Sequence, residues 1–113
     1  IGSTIPAELS QLSSLQVLDL GSNILTGTIP SQIGLMRKLA GLSFFDNRLT
    51  GSVPCEIQAL DRLELFYIDS NSLGPSICGQ ICQMEFVEFW ADCSEVECEC
   101  CTTCCTDNFG CAS

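Results

Sequence analysis

The chain contains no histidine and only four basic residues, Arg37, Lys38, Arg48 and Arg62. Without an imidazole, histidine-based nucleophile activation and histidine metal ligation are excluded. Four scattered cations make no basic patch, which excludes a nucleic-acid binder. No apolar run approaches the roughly 20 residues of a membrane span, because charges break every candidate, so no membrane insertion is expected in this segment. No glycine-rich phosphate loop and no Asn-x-Ser/Thr sequon occur. The opening Ile1-Gly2-Ser3-Thr4 lacks a methionine and a secretory h-region, so a mature product or a fragment of something longer is expected.

What is present is acidic and rich in sulfur. The 113 residues suit one domain, and a hydrophobic content of 46% excludes a wholly disordered chain. Fourteen acidic residues give a net charge of −10. Residues 1–62 carry a net −1 and residues 63–113 a net −9. The C-terminal half therefore repels anionic surfaces and favours a basic partner or a divalent cation, although simple solubility explains it as well. Ten cysteines in so short a chain point to a disulfide scaffold.

The sequence also repeats itself, with a step of 24. Leu15, Leu39 and Leu63 align, as do Leu18, Leu42 and Phe66, then Leu20, Phe44 and Ile68. Asn23, Asn47 and Asn71 follow the same step, with Leu25, Leu49 and Leu73. Ile5, Ile29, Val53 and Ile77 extend the series, followed by Pro6, Pro30, Pro54 and Cys78. The pattern Leu-x-x-Leu-x-Leu-x-x-Asn-x-Leu is the leucine-rich-repeat signature. The added Leu-Thr-Gly-x-Ile-Pro at Leu25–Pro30, repeated with Val53 at Leu49–Pro54, resembles the plant-type subclass. The resemblance covers residues 1 to about 90.

One 24-residue unit cannot bury its apolar side alone, and stacking joins these sides into a shared core. Val17–Leu20, 41–44 and 65–68 are expected as short parallel strands, with Leu18, Leu42 and Phe66 inward and side by side. Asn23, Asn47 and Asn71 are expected as a structural ladder, because an amide offers donors and an acceptor to turn backbone. The fold class is an α/β-class solenoid of short parallel strands with 3-10 or loop outer segments, a right-handed superhelix closed by a disulfide-rich C-terminal cap. Residues 1–86 are assigned to the repeats and 87–113 to the cap.

Strand residues that point outward form the concave face, which solenoids use for binding. They include Val17 and Asp19, then Ser43 and Phe45, then Leu65, Tyr67 and Asp69. An aromatic and aliphatic strip flanked by Asp19 and Asp69 is a candidate site for a protein, peptide or glycan, although these residues also serve simply to cover a thin sheet. A second row, Thr4, Thr28, Ser52 and Ser76 with Thr26 and Thr50, has the regularity of an ice-binding face, but a small polar residue also suits a tight segment beside Gly27 and Gly51.

Nine of the ten cysteines lie between Cys78 and Cys111. Counting by 24 puts Val87 and Trp90 where Leu63 and Phe66 stand, and Asp92 on an inward apolar position, so a fourth regular coil is not expected. Met84, Phe86, Val87, Phe89 and Trp90 are candidates to cover the exposed core, stapled by Cys55, Cys78, Cys82, Cys93, Cys98, Cys100, Cys101, Cys104, Cys105 and Cys111 as disulfides. Stacking brings Cys55 and Cys78 within about 4.4–6.8 Å between Cα atoms, and Cys55–Cys82 competes. Metal–thiolate binding by the tail is an alternative to disulfides, since soft thiolates suit zinc or copper(I). A thioredoxin-like Cys101–Cys104 site lacks its βαβ setting. Glu95, Glu97 and Glu99 alternate and could hold calcium weakly, or form a solvated acidic strand.

Trp90-Ala91-Asp92-Cys93, followed by Val96-Glu97-Cys98-Glu99-Cys100-Cys101-Thr102-Thr103-Cys104-Cys105, resembles the C-terminal end of diatom leucine-rich-repeat proteins. That resemblance implies a secreted or cell-surface recognition domain, often with a membrane anchor elsewhere in the full protein. No enzymatic activity and no cofactor are expected. The function expected is noncatalytic recognition through the concave face. The alternatives are a purely structural end-piece of a longer ectodomain and metal binding by the tail.

Overall fold

A computed structural model describes residues 3–74, 77–92, 101, 103–106 and 110–112. Its strands are β1 (Val17–Asp19), β2 (Thr26–Gly27), β3 (Gly41–Ser43), β4 (Arg48–Leu49), β5 (Leu65–Tyr67), β6 (Glu88–Asp92), β7 (Thr103–Thr106) and β8 (Gly110–Ala112). The main sheet runs in the order β1-β3-β5-β6-β7-β8, parallel until the antiparallel β7–β8 pair, while β2 and β4 form a small parallel sheet of their own.

Each coil is built by the same local rules. Pro6, Pro30 and Pro54 lie at φ of −73°, −69° and −67° and lead into 3-10 turns over Ala7–Gln11, Ser31–Leu35 and Cys55–Ala59. Proline fixes that entry angle and has no N–H to leave unpaired. In the next coil Cys78 takes the same place at φ −57° and opens a single helical turn, α1 (Gly79–Cys82). The turns bury Ile33, Ile57 and Ile81, one above another, each 0% exposed.

The strand register is the one the repeat dictates. Leu18 pairs with Leu42 and Leu42 with Phe66, so the inward residues stand side by side. Burying one such side chain contributes about 1.5–3 kcal/mol. Cys55 and Cys78 form a disulfide with Cα atoms 5.5 Å apart, joining the third coil to the fourth. Cys82 and Cys101 are also disulfide-bonded.

The fourth coil corrects the count by 24. Strand β6 joins β5 with Phe66 opposite Phe89 and Tyr67 opposite Trp90, a step of 23. The missing residue lies between Met84 and Phe86, where the preceding coil has Asp61 and Arg62 between Leu60 and Leu63. A one-residue change flips every following side chain of a strand to the other face. Phe86 and Phe89 therefore turn inward against Phe66, with ring centroids 4.9–5.9 Å apart, while Val87 and Trp90 turn outward. Ala91, not Asp92, fills the inward apolar position. Strand pairing thus continues past the expected boundary at residue 87. Residues 93–100, with Cys93, Cys98, Cys100 and the three glutamates, lie outside the described residues, and Cys104, Cys105 and Cys111 are described by their strand pairing alone.

Candidate functional site

The asparagine ladder holds the turn at the end of each strand and so sets the edge of the concave face. Residues before each asparagine, Ser22, Asp46 and Ser70, sit at φ of 56–59°. The Asn47 Nδ2 donates to Leu20 O at 2.9 Å and Phe44 O at 3.0 Å, while its Oδ1 accepts from Leu25 N at 3.0 Å. Asn71 repeats these bonds one coil on, to Phe44 O, Ile68 O and Leu49 N. Asn23 is exposed and reaches only Leu20 O and Gly21 O of its own turn.

Asp92 replaces part of the ladder at the far end. In the second coil, Asp46 N and Asn47 N donate to the backbone carbonyls of Asp69 and Ser70. In the third, Ser70 N and Asn71 N donate instead to the two carboxylate oxygens of Asp92, at 2.9 and 3.0 Å. Asp69 was expected to flank the binding strip, but it is 1% exposed. Its carbonyl accepts from Asp46 N of the turn after Phe45, and the two residues that follow it are held by Asp92 of β6. Burial, together with the negative charges of Asp92 and Asp46, pushes its carboxyl above the usual aspartate value, against an opposing bond to its own backbone.

Above the sheet lie two adjoining shallow hollows. One, of about 190 Å³, is lined by Val17, Asp19, Ser43, Leu65 and Tyr67 around Gly41. Gly41 has only the Val17 methyls within 4 Å of where a Cβ would stand, so its missing side chain leaves the floor open. The second, of about 240 Å³, is lined by Asp19, Ser43, Phe45, Tyr67, Asp69 and Trp90. Gly21 leaves room beside it for the Phe45 ring. All seven residues expected on the binding face border one hollow or the other. A larger hollow of about 490 Å³ lies at the turns entering β5 and β6, bordered by Gln58, Arg62 and Glu85, and no aromatic side chain lines it.

Trp90 and Glu88 belong to the face and were missed by the 24-residue count. Tyr67 and Trp90 pack edge to face, with centroids 5.5 Å apart and planes at 78°. Trp90 Nε1 donates to Glu88 Oε2 at 2.9 Å. Burial, then the charge and hydrogen bond of Glu88, hold the Tyr67 hydroxyl above its usual 10.0, so it remains neutral near pH 7. The signal that finds these residues is Phe86-x-x-Phe89-x-Ala91, which repeats Leu63-x-x-Phe66-x-Ile68 at 23.

Among the described residues no group of three or more His, Cys, Asp or Glu is arranged to hold a metal ion. Among them no helix is long and apolar enough to cross a membrane. Beside the expected hydroxyl row, Thr26 is bridged to Thr4 on one side and to Arg48 on the other, and Ser76 lies outside the described residues.

Comparison with known proteins agrees with this architecture. The Leucine Rich Repeat family model matches residues 14–36. The ectodomain of the receptor kinase SOBIR1 from Arabidopsis thaliana is 30% identical, with a TM-score of 0.64 over 67% of this chain and 41% of that one. The plant peptide hormone receptor RGFR1, solved in complex with RGF2, is 33% identical with a TM-score of 0.74, over 78% of this chain and 14% of that one. A plant ice-binding protein is 26% identical with a TM-score of 0.71, over 77% of this chain and 28% of that one. No curated protein sequence matches the chain significantly. The chain spans less than half the length of these solved structures. Repeat, fold and neighbours together define a plant-type leucine-rich-repeat solenoid.

Proposed function

We propose that this chain is a noncatalytic recognition module of an extracellular or cell-surface protein, and that it binds a protein or peptide on the concave sheet face. The observation that carries this reading is the pair of adjoining hollows floored by Gly41 and walled by Phe45, Tyr67 and Trp90. Aromatic anchors beside a concave surface are the usual centre of a binding interface. The likeness to a receptor solved with a peptide hormone supports it. Disulfides at Cys55, Cys78, Cys82 and Cys101 support an oxidising compartment. The finer kinship with diatom proteins rests on the Trp90–Cys93 and Val96–Cys105 runs alone.

The competing reading is a structural end-piece. Closure of the core by Phe66, Phe86 and Phe89 favours it, since this end of the stack is sealed. The test is selection from a random linear-peptide library displayed on phage. The recognition reading expects enrichment on the wild-type chain that is lost with Val17→Ser or Phe45→Ser, both exposed positions, with far-ultraviolet dichroism unchanged. Enrichment that survives both substitutions, or no enrichment at all, supports the end-piece.

A further inference from the structure

The concave face is patterned in charge as well as in shape. Among the described residues of β1, β3, β5 and β6 and the turns that follow, the acidic side chains left at least partly exposed are Asp19, Asp46 and Glu88, Asp69 and Asp92 are buried, and none of the residues is basic. Tyr67 and Trp90, nearly perpendicular, form two walls of a corner, and Phe45 lines the same hollow. Glu88 stands behind that corner, where it accepts a hydrogen bond from the Trp90 indole. Ring faces attract a cation electrostatically, and a carboxylate behind them adds to that attraction. An anionic group would meet Asp19 and Glu88 together. A bare metal cation would leave the rings without an apolar contact, whereas arginine carries an apolar stem and a planar head that stacks.

The spacing of the hollows adds a second constraint. The two hollows share the row Asp19, Ser43 and Tyr67; one extends from it over Val17, Gly41 and Leu65 and the other toward Phe45 and Asp69, so their centres lie about one two-residue pleat apart along the strands. Two residues of extended chain advance about 6.6 Å. Side chains two apart on an extended peptide therefore reach one hollow each.

Resting on the concave-face reading above, we propose that the occupant is an extended basic peptide segment that places an arginine or lysine head in the Phe45–Tyr67–Trp90 corner beside Glu88, and an apolar side chain two residues away over Gly41.

The peptides enriched on the wild-type chain in the library selection provide the test. They are expected to share an Arg or Lys two positions from an apolar residue. A synthetic peptide of that sequence should bind about tenfold more weakly when its arginine is replaced by citrulline, which keeps the shape and removes the charge. Glu88→Gln, which also keeps shape, should weaken the arginine peptide about tenfold and leave the citrulline peptide unchanged. Enriched peptides that are neutral or acidic, yet still lost with Phe45→Ser, overturn the basic occupant and leave the concave-face reading standing. Equal binding of arginine and citrulline forms, or no effect of Glu88→Gln, overturns it too. Enrichment that ignores Phe45→Ser, or its absence, overturns both.

Discussion

The first two rungs of the asparagine ladder carry the same residue in the same motif and differ in what it does. Asn23 is exposed and stiffens its own turn, with bonds to Leu20 O and Gly21 O. Asn47 is 8% exposed and ties two coils together through Leu20 O and Leu25 N. The core behaves in the same way. The first coil leaves Leu12 exposed and Leu15, Leu20 and Leu25 half-buried, whereas Phe66 and Phe89 further along the stack are fully buried. The motif sets each coil's conformation, and the neighbouring coil supplies the energy, as expected of a quasi-one-dimensional stack.

Several substitutions sharpen or break that contrast. The largest effect is expected at the sealed end, where Phe89→Ala should cost about 4 kcal/mol in denaturant unfolding, because it empties the space between Phe66 and Phe86. Leu12→Ala, on an exposed residue of the opposite end, should cost less than about 0.5 kcal/mol. Removing the Cys55–Cys78 bridge as a double serine variant should cost about 3 kcal/mol, since the bridge closes a segment of 23 residues. Next comes the ladder itself. Asn47→Ala should cost about 2 kcal/mol because it strands buried backbone groups, and Asn23→Ala only about 0.3 kcal/mol, because water replaces its bonds. Equal costs at the two positions would mean that the amide acts within its own turn only.

The smallest effect is in pH dependence. Asp69 has a folded-state affinity for its proton above the unfolded value, chiefly through burial. Its stabilising contribution is therefore present below the usual aspartate value of 3.8 and is lost as pH rises through the folded value. Asp69→Asn should remove that loss, so stability relative to the wild type should rise from acid to neutral pH. A constant difference across that range would show that the carboxyl is not perturbed.

How much was legible in the sequence follows from which constraints repeat. Leu18, Leu42 and Phe66 meet the same inward requirement three times, so their register was readable from the 24-residue step. The Cys55–Cys78 proximity followed from the same stacking. The final coil offers its constraint once, and losing one residue before Phe86 reverses inside and outside for all that follows. Trp90 was thus assigned to the core cover, although Phe86, Phe89 and Ala91 preserve the repeat spacing in plain view. The burial of Asp69 was not legible, because it depends on where β6 lies and not on any residue near it in the chain.

That shortened coil also decides the site, since it brings Trp90 beside Tyr67 on the concave face. Trp90 is the chain's one tryptophan, so its fluorescence reports the register directly. A step of 23 predicts native-state emission shifted toward that of a partly solvated indole, with substantial quenching by acrylamide. Blue-shifted emission with almost no quenching would place Trp90 in the core at a step of 24, and would contradict both the fourth coil and the binding face built on it.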